Sequence, residues 1–290
     1  MRRSVRVLWV VIVVLGLTLC VAGGFPVTLL DDRGEEITIS GPPERIVSVG
    51  ALYTQIVVDL GAIDRLVAVG ETSDNPPEVV ALPTVGPSFA PSVEVILSQE
   101  PDLVLGATDY GGERPALEAA GVTVFSTPLL AGVNDILETV RATGQAIGAE
   151  AEASSLVGSI ASEIVAAEVE VLGLPTTRAA FLYAAMPDDP YAAGGGTIEN
   201  EVILRAGGEN VFADVSGFSR VAIEAILERD PDVIFTAPAH VETISDHPLF
   251  QGVSAVRHGR IVGIRASVVA STRVVEALRA MIEAMHDLEF

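Results

Sequence analysis

VEVILSQEPDLVLGA at residues 93–107 and IEAILERDPDVIFTA at residues 223–237 are one unit written twice, 130 positions apart. Glu94 matches Glu224, Ile96 matches Ile226, and Leu97 matches Leu227. Pro101-Asp102 matches Pro231-Asp232, and Ala107 matches Ala237. Each copy has the same physics. A short helix carries an acidic residue in its first turn, where the helix dipole favours negative charge. A Pro-Asp pair breaks the helix. An unbroken apolar triplet follows, Leu103-Val104-Leu105 or Val233-Ile234-Phe235, as expected of a strand buried on both faces of a parallel sheet. A shared register of this kind predicts two related α/β lobes.

Working outward, RIVSVG at 45–50 reads as a strand, and residues 52–60 as a helix ended by Gly61. Residues 66–70 form the next strand, and Asp74-Asn75-Pro76-Pro77 a loop. A helix stops at Gly121, and 122–125 is again a strand. In the second half, 179–184 is a strand and 198–206 a helix stopped by Gly207-Gly208, with Val211-Phe212 following. Strands alternating with helices build parallel sheets. Between the halves, residues 152–172 contain no Pro and place Leu156, Ile160, Ile164, Ala167 and Val171 on one helical face. At 1.5 Å per residue this helix is roughly 30 Å long. It is a stiff spine that Pro175 ends. The predicted organisation is a leader at 1–24, a first lobe at 25–150, the interlobe helix at 151–174 and a second lobe at 175–290.

The 290 residues are 49% hydrophobic and 19% charged, enough apolar content for a sizeable core. All 17 basic residues are Arg, against 39 acidic ones, for a net charge of -22. So acidic a chain is no general nucleic-acid binder, which needs a basic patch on the phosphates. Charge-driven docking on anionic lipid is likewise disfavoured. The single cysteine, Cys20, rules out an intrachain disulfide and a Cys-based zinc site. Arg2, Arg3 and Arg6 precede an apolar run at 7–22 and then Gly23-Gly24, the pattern of a secretory signal. The 16-residue run falls short of the ~20 residues a spanning helix needs. Two processing routes fit: cleavage after the small residues 22–24, or lipidation of Cys20 where the apolar run ends. Leu17 suits the lipidation pattern, whereas Leu19 is large for it. Loss of the leader's three Arg leaves 14 Arg against 39 carboxylates, a charge of -25.

The ordered segments resemble the substrate-binding proteins of bacterial ABC importers for ferric siderophores, haem and cobalamin. The resemblance spans about residues 27–288. It rests on RIVSVGALYTQIVVDLGAIDRLVAVG at 45–70, SDNPPEV at 73–79, LPTVGP at 82–87, SVEVILSQEPDLVLG at 92–106 and YAAGGGTIENEVILRAGGENVFAD at 191–214. VAIEAILERDPDVI at 221–234, AVRHGRIVGI at 255–264 and STRVVEAL at 271–278 complete it. It implies two Rossmann-like α/β lobes with mostly parallel central sheets, one long spine helix and a ligand cleft between the lobes. It further implies an exported monomer, periplasmic or anchored on the outer face of the cytoplasmic membrane. That monomer hands a metal chelate to a permease dimer with its ATPase, without catalysis and without a resident cofactor or metal. An iron complex is the first expectation and a corrinoid the alternative.

On the resemblance, Glu94 and Glu224 match the family's two docking glutamates, which meet arginines on the importer. The repeat gives this a meaning of its own: equivalent positions on related lobes present one charge each to a pseudo-symmetric partner. Cleft candidates are aromatic or basic residues in loops after strands, where open α/β sheets bind ligands. Tyr191 precedes the glycine run, Phe218 lies six residues before Glu224, and Phe89 lies five before Glu94. Tyr53, Tyr110, Tyr183 and Met186 are further candidates. Arg273 and, less strongly, Arg114 are the candidates for meeting an anionic ligand group. Gln55, Thr72 and Asn75 stand where relatives often carry other residues, which weakens the corrinoid alternative, and Thr272 replaces the Pro of the family's common Pro-Arg before Arg273.

Two rival classes lack their residues. A bare zinc or manganese site needs His and carboxylates converging from both lobes, yet His240, His247, His258 and His286 all lie in the second half. A hydrolase needs a nucleophile elbow, and no G-x-S-x-G, P-loop or H-E-x-x-H occurs. Gly194-Gly195-Gly196 is a lone glycine run, a weak signal for an anion-binding loop.

Overall fold

A computed structural model describes residues 24–106, 112–183 and 190–288. The leader with Cys20, the candidates Tyr110 and Met186, and Ala107 of the repeat lie outside the described residues. The chain opens with an antiparallel hairpin, β1 (Val27–Leu30) and β2 (Glu36–Ile39), which the sequence reading did not anticipate. Four strands follow: β3 (Ile46–Ser48), β4 (Leu66–Val69), β5 (Leu103–Leu105) and β6 (Thr123–Phe125). They form an all-parallel sheet in the order β4-β3-β5-β6.

The second half supplies β7 (Thr177–Tyr183), β8 (Tyr191–Ala193), β9 (Gly208–Asn210), β10 (Phe218–Arg220), β11 (Val233–Thr236) and β12 (Ile261–Gly263). Their order is β10-β8-β7-β11-β12, with β9 pairing the start of β7. β7, β9, β11 and β12 are parallel, whereas β8 runs against both of its neighbours, so this sheet is mixed. β9 falls on Gly208–Asn210, ahead of Val211-Phe212. The glycine pair therefore stops a helix and starts a strand.

Side chains alternate across a strand, and here the alternation assigns each residue to a core. Leu103, Leu105, Phe125, Ala179, Phe181, Val233 and Phe235 join one large cluster shared by both halves. Val47, Val104 and Val124 turn to a separate core of the first half. Ala180, Leu182 and Ile234 do the same in the second. The two repeat helices, Val93–Ser98 and Ile223–Arg229, cover these outer cores through Ile96 and through Ile223 and Ile226.

The repeat is duplicated down to its joints. Glu100 and Asp230 both end their helices with positive φ. The Asp102 carboxylate accepts the amides of Glu44 and Arg45 (2.7 and 3.0 Å), and Asp232 accepts that of Arg178 (3.2 Å). Arg45 reaches the Gln99 carbonyl at the end of the first helix, and Arg178 reaches that of Arg229 at the end of the second.

The spine helix spans Glu150–Glu170 and packs on the Val133–Ile147 helix of the first half and the Val274–His286 helix of the second. Its buried face is Ala153, Val157, Ile160, Ile164 and Ala167, so Val157 occupies the place expected of Leu156, which is only half-buried. The helix begins and ends two residues earlier than the expected 152–172. Among the described residues no helix is long and apolar enough to cross a membrane.

Candidate functional site

Strand register builds one wall of the site. Tyr183 opposes Tyr191, Tyr191 opposes Arg220, and Ala193 opposes Phe218. Opposed residues in antiparallel pairs share a face, so Tyr183, Tyr191, Phe218 and Arg220 stand together on the face toward the shared core. Tyr183 meets Phe218 edge-on at 5.6 Å between ring centroids, and the Arg220 guanidinium lies 5.9 Å from the Tyr191 ring. Phe218 and Tyr191 remain 55% and 41% exposed. Exposed aromatics grouped at a strand edge are costly in water unless something covers them. The Tyr183 hydroxyl turns inward and donates to Glu199 Oε1 at 2.7 Å.

The first half offers a second surface at the ends of β3, β5 and β6. A cavity of about 150 Å³ opens there between Leu52, Tyr53, Gly106, Thr127, Leu129 and Leu130. Leu130 beside this cavity and Tyr183 of the aromatic group both pack on the cluster shared between the lobes. Tyr53 itself is buried, and its ring packs so closely on Gly106 that a Cβ there would sit 2.5 Å from it. The Thr127 amide donates to the Tyr53 hydroxyl at 2.6 Å, and the Thr127 hydroxyl shares a second bond at 2.9 Å. Burial pushes this phenol up, against the pull of the Thr127 bonds. Phe89 projects from the same half with two-thirds of its surface in solvent.

Polar contacts clasp the lobes beside this cleft. Thr272 donates to Asp59 Oδ2 at 2.5 Å, Gln55 donates to Asp59 Oδ1 at 2.7 Å, and Asn75 donates to Gln55 at 2.8 Å. Arg265 pairs with Asp74 at 2.6 Å. On another side the Glu201 carboxylate accepts the Val133 amide at 3.1 Å. Gln55, Asn75 and Thr272, three positions that depart from the resembled pattern, thus form one hydrogen-bonded chain. Gln55 and Thr272 are buried. Asp59→Ala strips an acceptor from each, and urea unfolding should show a loss of about 1–3 kcal/mol. An unchanged midpoint would show the clasp to be incidental.

The remaining candidates sit elsewhere. Arg273 binds Glu276 through two nitrogens at 2.7 and 2.9 Å, and Asp74 and Asp59 add to that pull, so its charge is shared among carboxylates of the protein. Arg114 is corrected outright: it is fully buried and bonds Asp31, Asp32 and Glu118, which ties the β1–β2 hairpin to the lobe. A guanidinium with no exposed surface cannot grip a ligand. The glycine run is no anion loop either. Gly194 and Gly195 donate their amides to the carbonyls of Gly217 and Val215. A Cβ on Gly194 would come within 2.0 Å of the Val215 carbonyl oxygen.

Among the described residues no group of three or more His, Cys, Asp or Glu is arranged to hold a metal. His286 bonds the Ala206 carbonyl at 2.8 Å and His247 accepts the Leu249 amide at 3.3 Å. A wider groove of about 600 Å³ lies at the end of the spine helix, between Leu172, Leu174 and Leu204, away from both cleft walls.

Glu94 and Glu224 occupy matching places. Each is exposed in the first turn of its repeat helix, and neither side chain has an ion-pair or hydrogen-bond partner among the described residues. Each helix runs back against the strand it feeds. Its first turn therefore lies at the edge where the strands end, the edge on which the cleft opens. What sequence reasoning missed was Glu199 and the Asp59–Thr272 clasp. Glu199 sits inside YAAGGGTIENEVIL, but its role depends on Tyr183 across the sheet. No local signal pairs the two.

Comparison with known proteins agrees with this architecture. The chain is similar to the uncharacterized ABC transporter substrate-binding lipoprotein YvrC of Bacillus subtilis, 27% identical over 271 residues, 90% of this chain and 86% of the relative. A cobalamin-binding protein of Halobacterium salinarum is 26% identical over 281 residues, covering 92% and 76%. Among solved structures, the ABC-type Fe3+-hydroxamate transport system of Saccharomonospora viridis superposes with a TM-score of 0.77 at 28% identity, covering 90% of this chain and 99% of that one. The periplasmic heme-binding protein RhuT of Roseiflexus gives 0.77 at 27% identity, covering 84% and 99%. The family model described as periplasmic binding protein matches residues 46–268, from β3 to the short Ala266–Val269 helix that precedes the last one. Two lobes, a spine and a walled cleft are thus those of a family to which this chain belongs, the periplasmic binding proteins.

Proposed function

We propose that this chain is the exported binding component of an ABC importer, capturing a metal chelate outside the cytoplasmic membrane. The observation that carries the reading is the grouping of Tyr183, Tyr191 and Phe218 on one face of the second sheet, with Tyr191 and Phe218 exposed. Flat ring surface suits a large, partly apolar chelate better than a bare cation. A ferric siderophore or haem is the first class; a corrinoid is the alternative, favoured by the name of the Halobacterium relative. Phe89 and Tyr53 belong to the first-lobe side, Tyr110 to the segment after β5, and Arg273 to the lobe junction. Binding and release need no chemistry, so no residue is assigned a catalytic role.

Residues 1–24 act as the export leader, with Cys20 the position for lipid if the chain is anchored. Residues 25–150 and 175–290 act as the two lobes on a monomer, joined by the helix at 151–174. Glu94 and Glu224 flank the cleft mouth and dock on a permease dimer. Such charges favour orientation and encounter rate over raw affinity.

Calorimetric titration with haem, cyanocobalamin, several ferric siderophores and Zn²⁺ tests the reading. Saturable binding of one chelate with no response to Zn²⁺ is the expected result; tight Zn²⁺ binding with silence to every chelate would overturn it. For the chelate that binds, Phe218→Ala and Tyr191→Ala should each weaken affinity by at least about 1 kcal/mol through lost ring contact, roughly fivefold in Kd. An unchanged Kd in either variant would move that ring out of the site.

A further inference from the structure

Glu199 is a buried carboxyl that neither the fold nor the docking surfaces use. It is the second residue of the Ile198–Arg205 helix and is 2% exposed. Its Oε1 accepts the Tyr183 hydroxyl at 2.7 Å, while its Oε2 is sealed from solvent with no partner among the described residues. Burial pushes this carboxyl up despite the Tyr183 bond. Burial also pushes the Tyr183 phenol up, and the Glu199 charge beside it adds to that. A half-satisfied buried carboxyl is destabilising relative to an apolar side chain of similar shape. Its position is therefore informative: directly behind the aromatic wall, bonded to the one wall phenol that points inward.

The sheet explains what the bond accomplishes. Tyr183 is the last residue of β7, and backbone pairing with Tyr191 holds its Cα but not its ring. Its neighbours on that face are Phe181 at 5.1 Å and Phe218 at 5.6 Å, both apolar. Neither offers the hydroxyl a partner. Without Glu199 the phenol would lose its one hydrogen-bond partner among the described residues and turn toward solvent.

We propose that Glu199 is a positioning residue of the ligand site: by taking the Tyr183 hydroxyl inward it holds that ring edge-on to Phe218, so the wall meets its ligand with ring surface and no free phenol at this point. This rests on reading the cleft as a chelate site. It deepens that reading, because a phenol turned away and kept protonated donates no phenolate to a metal. Tyr183 then recognises a chelate by packing on its organic shell.

The test uses the full-length protein and four variants: Glu199→Gln, Glu199→Ala, Tyr183→Phe and the Glu199→Ala/Tyr183→Phe pair. Glu199→Gln keeps the shape and an acceptor, and so guards against simple misfolding. Two readouts separate the positioning role from the chelate reading. The first needs no ligand. Difference near-ultraviolet circular dichroism reports how tyrosine rings are held, and Trp9, the single tryptophan, lies outside the substituted region. Glu199→Ala should lose tyrosine signal, and Glu199→Gln should retain it.

The second readout is the Kd for cyanocobalamin and for ferrichrome, a ferric trihydroxamate. For a probe that the unaltered protein binds, Glu199→Ala should weaken binding about tenfold and Glu199→Gln by less than about twofold. Tyr183→Phe should match Glu199→Ala, and the pair should be no worse than either alone, the signature of coupled residues. Additive losses, or wild-type affinity in Glu199→Ala, would overturn the proposal. If neither probe binds the unaltered protein, cobalamin and ferric trihydroxamates are struck from the candidate chelates. The dichroism then still decides: a Glu199→Ala spectrum identical to wild type would overturn the positioning role.

Discussion

Arg114→Leu should cost the protein about 3–5 kcal/mol in chemical denaturation, the scale of a buried ion pair that loses one partner. Arg114 is wholly buried, with Nη2 2.5 Å from Asp31, Nη1 2.5 Å from Asp32 and Nε 2.9 Å from Glu118. Leucine fills part of the volume but leaves Asp31, whose side chain has no exposed surface, facing an apolar group. Arg33, which also reaches Asp31 and Glu118, softens the loss without abolishing it. The β1–β2 hairpin hangs on this cluster, so its amides should lose hydrogen-exchange protection first.

The effect should also depend on pH. Burial alone would raise the Asp31 carboxyl, but the amides of Glu35 and Arg33 and the two guanidinium groups outweigh it and hold it below its ordinary value. Glu118 is lowered likewise: its bonds to Arg114 and Arg33 overcome its burial. A carboxylate depressed by folding contributes stability above its unfolded pKa, about 4 for these side chains. That contribution fades as pH falls through the folded value. The gap between wild type and Arg114→Leu should therefore be full at pH 7 and shrink below about pH 4. A gap that stays constant down to pH 3 would contradict this account.

Glu94→Ala combined with Glu224→Ala should abolish uptake while leaving the ligand Kd within about twofold of wild type. Charges of this kind set orientation and encounter rate, so losing both should slow importer association by about 10- to 1000-fold at low salt. Neither side chain supports the fold: both are exposed and without partners among the described residues. Melting temperature should therefore stay close to wild type. Each single variant should retain partial uptake, because the other lobe still docks. Loss of ligand binding in the double variant would remove these residues from the docking role. Uptake at the wild-type rate would show that other contacts position the protein on its importer.

The repeat at 93–107 and 223–237 carried most of the fold in its sequence. Apolar triplets, Pro-Asp breaks and first-turn glutamates are local signals, and local physics suffices to read them. The spine was legible for the same reason, since a 3.6-residue apolar period needs no partner to be recognised; its face shifted by one residue because packing against two helices selects Val157 over Leu156. The aromatic wall was half legible. Tyr191 and Phe218 stand in sequence beside recognisable segments, but only strand register puts them on one face with Tyr183 and Arg220.

Arg114 misled because a guanidinium in the first turn of a short helix looks the same in sequence whether it meets a ligand or three carboxylates of its own chain. The β1–β2 hairpin went unread because its strands are short and its anchor, Arg114, lies more than 80 residues away. Glu199 and Asp59 are the clearest cases of the same limit. Their partners, Tyr183 and Thr272, lie 16 and 213 residues distant. By itself the sequence determined the repeated helix-break-strand unit, the parallel strands around it, the spine helix, and which glutamate faces outward on each copy. Only the tertiary structure decided which side chains meet across the cleft, because a hydrogen bond is set by distance in space, and chain separation places no limit on that.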